Sequence, residues 1–128
     1  MFSLIVGIII LIDLVTKWWA SRWGTVSINT GVSFGLGADQ PLLMVLIIGV
    51  ATFMVTYFIV YERRRFPLVS GLIVGGIIAN IIDRLLVGGV RDWIRIPGTT
   101  LHNNVADYAL CVGLVLFLWQ SLKPVPRS

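Results

Sequence analysis

The sequence predicts an all-α membrane protein: four transmembrane helices with a small β-like extracytoplasmic segment. Three observations carry that prediction. Hydrophobic residues make up 57% of the chain and charged ones only 12%, about half of the roughly 25% typical of a soluble domain. Four apolar runs approach the roughly 20 residues that cross a bilayer. The polar residues gather near the same ends of those runs. At 128 residues the chain is read as one domain, residues 1–128.

The first span is expected from Phe2 to Ala20. A signal peptide would begin with basic residues and keep its apolar part free of charge. This segment has no basic start and carries Asp13. Trp18 and Trp19 beside Ala20 suit an interfacial anchor better than a cleavage site, so the helix is read as retained. A connection from Ser21 to Pro41 follows, with β-like alternation at Thr25-Val26-Ser27-Ile28 and glycines after it. The second span is expected at 42–61, a short loop at Glu62–Phe66, and the third span at 67–87. Between Gly88 and Asn103 a Pro97-Gly98 turn interrupts the chain, and the fourth span is expected at 104–122. The two longer connections are candidates for short strands or surface loops at the interface.

Charge and cysteine usage narrow the partners. The net charge of +4 is spread between apolar runs and forms no stripe, which argues against nucleic acid and for contact with membrane lipids. The single cysteine, Cys111, lies in an apolar run and is read as a small packing residue. With one cysteine and one histidine, His102, a zinc site is not expected, and neither is any other metal or cofactor. Counting basic residues on each side gives a tie. The compact Arg63-Arg64-Arg65 loop breaks it, because short basic loops are poorly translocated. Both termini are then cytoplasmic. Lys17, Asn29, Asn80, Asp83, Arg84, Asp92, Asn104 and Asp107 fall in the outer half or just beyond it.

Each polar motif also has an ordinary structural reading. Asp13 and Lys17, four residues apart, share a helix face and could be a self-neutralising pair with Lys17 snorkelling outward. Asn29-Thr-Gly31-Val-Ser-Phe34-Gly35 could be a plain turn. Gly71, Gly75 and Ala79 make a small-residue stripe for close helix packing. Gly76, Asn80 and Asp83 lie on a neighbouring face, and Asp83 with Arg84 could be a helix-end pair. Asp92 could be a solvated loop residue. Asn104 is a plausible N-cap, with Asp107 in the first turn beside the helix dipole.

Taken together, the motifs resemble the lipoprotein signal peptidase (signal peptidase II) family, the aspartic peptidases of bacterial membranes. The resemblance runs in order along nearly the whole chain. It rests on Asp13-x-x-Thr-Lys17, Asn29-Thr-Gly31 with Phe34, Gly75-Gly76-x-x-x-Asn80-x-x-Asp83-Arg84, Asp92, and Asn104-x-Ala-Asp107. Ala79 and Asn103 depart from the family pattern, and the segments between Lys17 and Asn29 and between Asp92 and Asn104 are short for it. The resemblance implies an endopeptidase of the bacterial inner membrane that cuts diacylglyceryl-modified prolipoproteins before the lipidated cysteine, with its site toward the outer face. It implies Asp92 and Asp107 as the catalytic pair. Asn29, Gly31, Asn80, Arg84 and Asn104 would position substrate, and Asp13, Lys17 and Asp83 would support the site. A monomer is expected.

Two carboxylates suit that chemistry without a metal. Close together they cannot easily both ionise, so one can act as base toward water while the other donates a proton. Two rival readings stay open at this point. One is a relative that binds lipopeptide without cutting. The other is a four-helix proton-coupled carrier or channel subunit, with carboxylates strung across the membrane.

Overall fold

The computed structural model describes residues 1–24, 26–31 and 41–123. Among these, four helices alternate with short strands: α1 (Phe2–Arg22), β1 (Ser27–Asn29), α2 (Pro41–Tyr57), α3 (Pro67–Val87), β2 (Val90–Asp92), β3 (Ile94–Arg95), β4 (His102–Asn103) and α4 (Val105–Ser121). α2 continues into a π-helical turn, Phe58–Glu62. α1, α3 and the Pro41–Glu62 segment are each long and apolar enough to cross a membrane. α4 is apolar but shorter, at 17 residues.

α3 is the centre of the bundle because its small residues admit neighbours on two sides. A Cβ at Gly71 would lie 2.8 Å from Ile5 Cβ, and one at Gly75 would lie 3.0 Å from Ile9 Cβ, so this stripe faces α1. Gly76 faces α4 instead, where a Cβ would fall 2.6 Å from the Ala106 carbonyl oxygen. Val69, Ile73, Val74 and Ile77 form the buried apolar core with Phe58, whose ring meets Phe117 edge-on at 5.0 Å. α2, by contrast, buries none of its residues.

The different partners of these glycines make a testable contrast. Gly71→Ala meets Ile5 Cβ at 2.8 Å, which moves only with the α1 backbone, whereas Gly76→Ala meets the Ala106 carbonyl oxygen closer still, at 2.6 Å. Gly76→Ala should therefore destabilise by about 1–3 kcal/mol through overpacking, more than Gly71→Ala, and displace the first turn of α4. Melting temperatures of the two variants in one detergent check the order.

Two expectations need correction here. Glu62 was expected in the loop after helix two. It is 9% exposed within the π-turn, with its Oε1 accepting from the Tyr57 hydroxyl at 3.0 Å. The wider π-turn carries the chain inward by one more residue before Arg63, so the side chain faces the bundle. Cys111, read as a packing residue, is exposed. Ala106, Ala109 and Gly113 define the buried face of α4, and the helical repeat turns position 111 away from it.

Two small antiparallel sheets cap one end of the bundle. β1 pairs with β2 in the register Ser27↔Asp92, Ile28↔Arg91, Asn29↔Val90. β3 pairs with β4, Ile94 opposite Asn103 and Arg95 opposite His102. The Ser27-Ile28 alternation thus becomes a strand; Thr25 and the stretch 32–40, with Ser33, Phe34 and Gly35, lie outside the described residues. Gly88 ends α3 in the left-handed conformation, φ 75°, which the absence of a side chain permits. Gly89 then passes so close to β1 that a Cβ would sit 2.9 Å from the Asn29 carbonyl oxygen. These two glycines turn β2 back over the end of α3.

Candidate active site

The polar motifs converge at the end of the bundle that carries the sheets. α1 contributes Asp13 and Lys17, both fully buried and 2.6 Å apart. Lys17 does not snorkel. Its ammonium donates to Asn80 Oδ1 at 3.0 Å and lies 3.4 Å from Asp83, so three polar partners on α1 and α3 hold it inside. Asp13 Oδ1 accepts from the Ala106 amide at 2.8 Å, reaching across to the first turn of α4. A buried ion pair is tolerable only when its remaining hydrogen-bonding groups are met in this way.

Asp83 and Arg84 are neighbours in sequence but point about 100° apart around the helix, and they form no pair with each other. Asp83 is fully buried and paired with Arg91. It accepts from the Arg91 backbone amide at 2.6 Å and from the guanidinium Nε at 2.8 Å. Sequence reasoning gave Arg91 no role. Only the Gly88-Gly89 reversal brings it back to α3, and that doublet was the available signal. Arg84 turns the other way, donating to the Gly31 carbonyl at 3.1 Å and the Asn80 carbonyl at 3.3 Å.

Asp92 is not a solvated loop residue. It is 4% exposed, because β2 pairs with β1 and packs back over the end of α3. Its Oδ1 accepts from Asn104 Nδ2 at 2.7 Å, and its Oδ2 accepts from Asn29 Nδ2 at 3.4 Å. Asn104 caps α4 as expected: its Oδ1 accepts from the Asp107 amide at 2.9 Å. One asparagine side chain therefore joins the strand that bears Asp92 to the backbone of Asp107. Asp107 Oδ1 in turn accepts from Asn80 Nδ2 at 2.8 Å.

A cavity of about 370 Å³ opens between α2, α3, α4 and the β1–β2 pair. Asp92, Asp107, Asn29, Asn80 and Arg84 line one part of it, while Leu43, Leu46, Ile47 and Val50 of α2 line the other. Burial pushes the Asp92 carboxyl up to about 6; the bond from Asn104 opposes this, and the nearby Asp107 charge adds to it. Gly31 and Asn104 do not line the cavity, and neither do the fully buried Asp13, Lys17 and Asp83. Among the described residues, no three of His, Cys, Asp and Glu come together as a metal-ligand set. The arrangement offers two carboxylates, a guanidinium and two amides at the rim of an apolar chamber.

A protein-family model described as signal peptidase (SPase) II matches residues 5–123. The chain belongs to the signal peptidase II family. It is 34% identical to the lipoprotein signal peptidase of Thermodesulfovibrio yellowstonii, over 94% of each chain. It is 32% identical to that of Halalkalibacterium halodurans, over 91% of this chain and 89% of the relative. With one from Rhodopseudomonas palustris it shares 31% identity over 98% of this chain and 94% of the other. Two solved structures, each described as a bacterial membrane enzyme, have the same fold. One gives a TM-score of 0.74 at 21% identity over 98% of this chain and 92% of its own. The other gives 0.73 at 24% identity, over 96% and 93%. All ten residues singled out from the sequence lie at the same end of this signal peptidase II fold.

Proposed function

We propose that this chain is an aspartic endopeptidase that removes signal peptides from prolipoproteins, with Asp92 and Asp107 sharing one proton across the substrate. Signal-peptide removal from prolipoproteins rests on membership of the family. The aspartic mechanism rests on one observation: the two carboxylates line the same cavity, each held by an asparagine. One carboxylate takes a proton from water as it attacks the scissile carbonyl. The other donates to the carbonyl oxygen, and the proton is then passed to the leaving amine. Arg84 on the cavity wall offers a cation for the oxygen that becomes negative. The α2 side of the chamber, lined by Leu43, Leu46, Ile47 and Val50, offers an apolar surface for an acylated substrate.

We read α4 as a fourth span and both termini as cytoplasmic, with the cavity toward the outer face. The Arg63-Arg64-Arg65 turn lies at the opposite end of α3 from Asp83, which supports that orientation. In a background lacking Cys111, Arg64→Cys and Thr99→Cys should react oppositely with an impermeant thiol reagent applied from outside. Labelling of Arg64→Cys alone would reverse the orientation. A carrier with carboxylates strung across the membrane is disfavoured, because Asp13, Asp83, Asp92 and Asp107 gather at one end.

The function is tested by incubating purified protein with a diacylglyceryl-modified prolipoprotein. The expected product is shortened and begins with the lipidated cysteine; binding without cleavage would support the non-cutting alternative. A pH profile follows from Asp92. Its raised carboxyl keeps a proton up to about pH 6, so the singly protonated pair is present below that point and lost above it. For the free enzyme, kcat/KM should fall as pH rises past about 6, approaching roughly tenfold per pH unit. A flat profile from pH 5 to 8 would contradict this protonation scheme.

A further inference from the structure

The amide of Asn80 has two ends that look alike in shape and opposite in chemistry: one accepts, the other donates. In a site built around a carboxylate the difference is decisive. Asn80 Nδ2 donates to Asp107 Oδ1 at 2.8 Å. Rotation of the amide by half a turn would put its oxygen against that carboxylate oxygen, two acceptors face to face. What fixes the orientation is on the other side. Lys17 Nζ donates to Asn80 Oδ1 at 3.0 Å, and an ammonium has donors and no acceptor. Lys17 is itself immobilised, fully buried and tied to Asp13 at 2.6 Å and Asp83 at 3.4 Å.

We infer that Lys17 is a positioning residue for Asp107, acting through Asn80: its ammonium sets the direction of the Asn80 amide, so that the amide always presents N–H to the carboxylate. Lys17 does not line the cavity. One chain of contacts runs from the ammonium of α1 through the amide of α3 to the carboxylate of α4, and the charge of Lys17 also acts on Asp92 through space. The ammonium also polarises the amide, which strengthens the bond to Asp107. Asp13 holds the far end of the same chain, because it both fixes Lys17 and accepts from the Ala106 amide next to Asp107. The inference rests on the reading of Asp107 as half of the catalytic pair.

Two kinds of variant test it. Lys17→Gln can still donate to Asn80 Oδ1, whereas Lys17→Met cannot; the two are similar in length. Among molecules that remain folded by thermal melting, Lys17→Met should lose roughly 10²-fold in kcat, the scale of a misplaced reacting group, with KM little changed. Lys17→Gln should recover a large part of that loss. Asn80→Asp keeps a partner for Lys17 but loses the N–H toward Asp107 at neutral pH. Relative to wild type at the same pH, its kcat should drop by a similar factor near neutrality and recover as the pH is lowered, when the introduced carboxyl is protonated and can donate again. This acid recovery is a signature that a purely structural role does not produce.

Equal kcat losses in folded Lys17→Met and Lys17→Gln, or wild-type kcat in both, would overturn the inference. If neither Lys17 variant folds, the Asn80→Asp profile decides alone, and a profile with the wild-type shape overturns it. The underlying reading fails separately: an active Asp107→Asn enzyme would remove the catalytic pair itself, whatever the Lys17 variants do.

Discussion

Asp92→Asn and Asp107→Asn should each abolish cleavage of a lipidated prolipoprotein while leaving a folded protein that still binds it. Asparagine keeps the size of aspartate and can accept one hydrogen bond in the same place. Asn104 can therefore still donate at position 92, and Asn80 at position 107. What is lost is the ability to take up or share a proton. Members of a catalytic unit commonly cost roughly 10⁴-fold or more when removed singly, and little further when removed together. The double variant should thus be scarcely worse than either single one. Cleavage rates measured on equal amounts of folded protein decide the matter, and substantial turnover by either single variant would end the two-carboxylate mechanism.

The second large effect is expected at Asp83, which touches no part of the cavity. Asp83 neutralises Lys17 and Arg91 together and accepts from the Arg91 backbone amide. Asp83→Ala leaves a fully buried ammonium with Asp13 as its one remaining carboxylate, and it frees the strand that carries Asp92. Removing one partner of a buried ion pair costs roughly 3–5 kcal/mol, a large part of a small protein's stability. Arg91→Met should cost less. The Arg91 side chain is 15% exposed, and its removal leaves Asp83 still paired with Lys17. Chemical or thermal unfolding in detergent should rank the two variants in that order. The reverse order would mean that Arg91, not Asp83, anchors the end of α3.

The aspartates, asparagines and glycines could be read from the sequence because their spacing carries geometry. Asp13 and Lys17 are one helical turn apart, and they meet. Gly71 and Gly75 are likewise one turn apart, and both face α1. Asn104 precedes an apolar run by one residue, and it caps the helix. The misreadings arise where a partner is set by a change of chain direction. Arg91 meets Asp83 only because Gly88 adopts a positive φ and β2 aligns with β1 in one register. No local pattern distinguishes that register from a neighbouring one, although a slip by one residue would point Asp92 away from the cavity. The snorkelling alternative for Lys17 fails for a similar reason: it describes a lone helix, whereas Asn80 and Asp83 arrive from α3. The π-turn at Phe58–Glu62 leaves no recognisable pattern in the residues themselves.

α2 forms a wall of the cavity yet buries none of its own residues, while Phe58 and Glu62 just beyond it are buried at the far end of the bundle. Shape of the chamber and stability of the protein are thereby written on different surfaces. Replacing Leu43, Leu46, Ile47 or Val50 with another apolar side chain changes the chamber but disturbs little of the α1–α3–α4 packing. A lineage could explore new acyl or peptide preferences along this helix while the hydrogen-bonded centre stayed untouched. Drift in substrate preference should therefore accumulate on α2, where it is least costly to the fold.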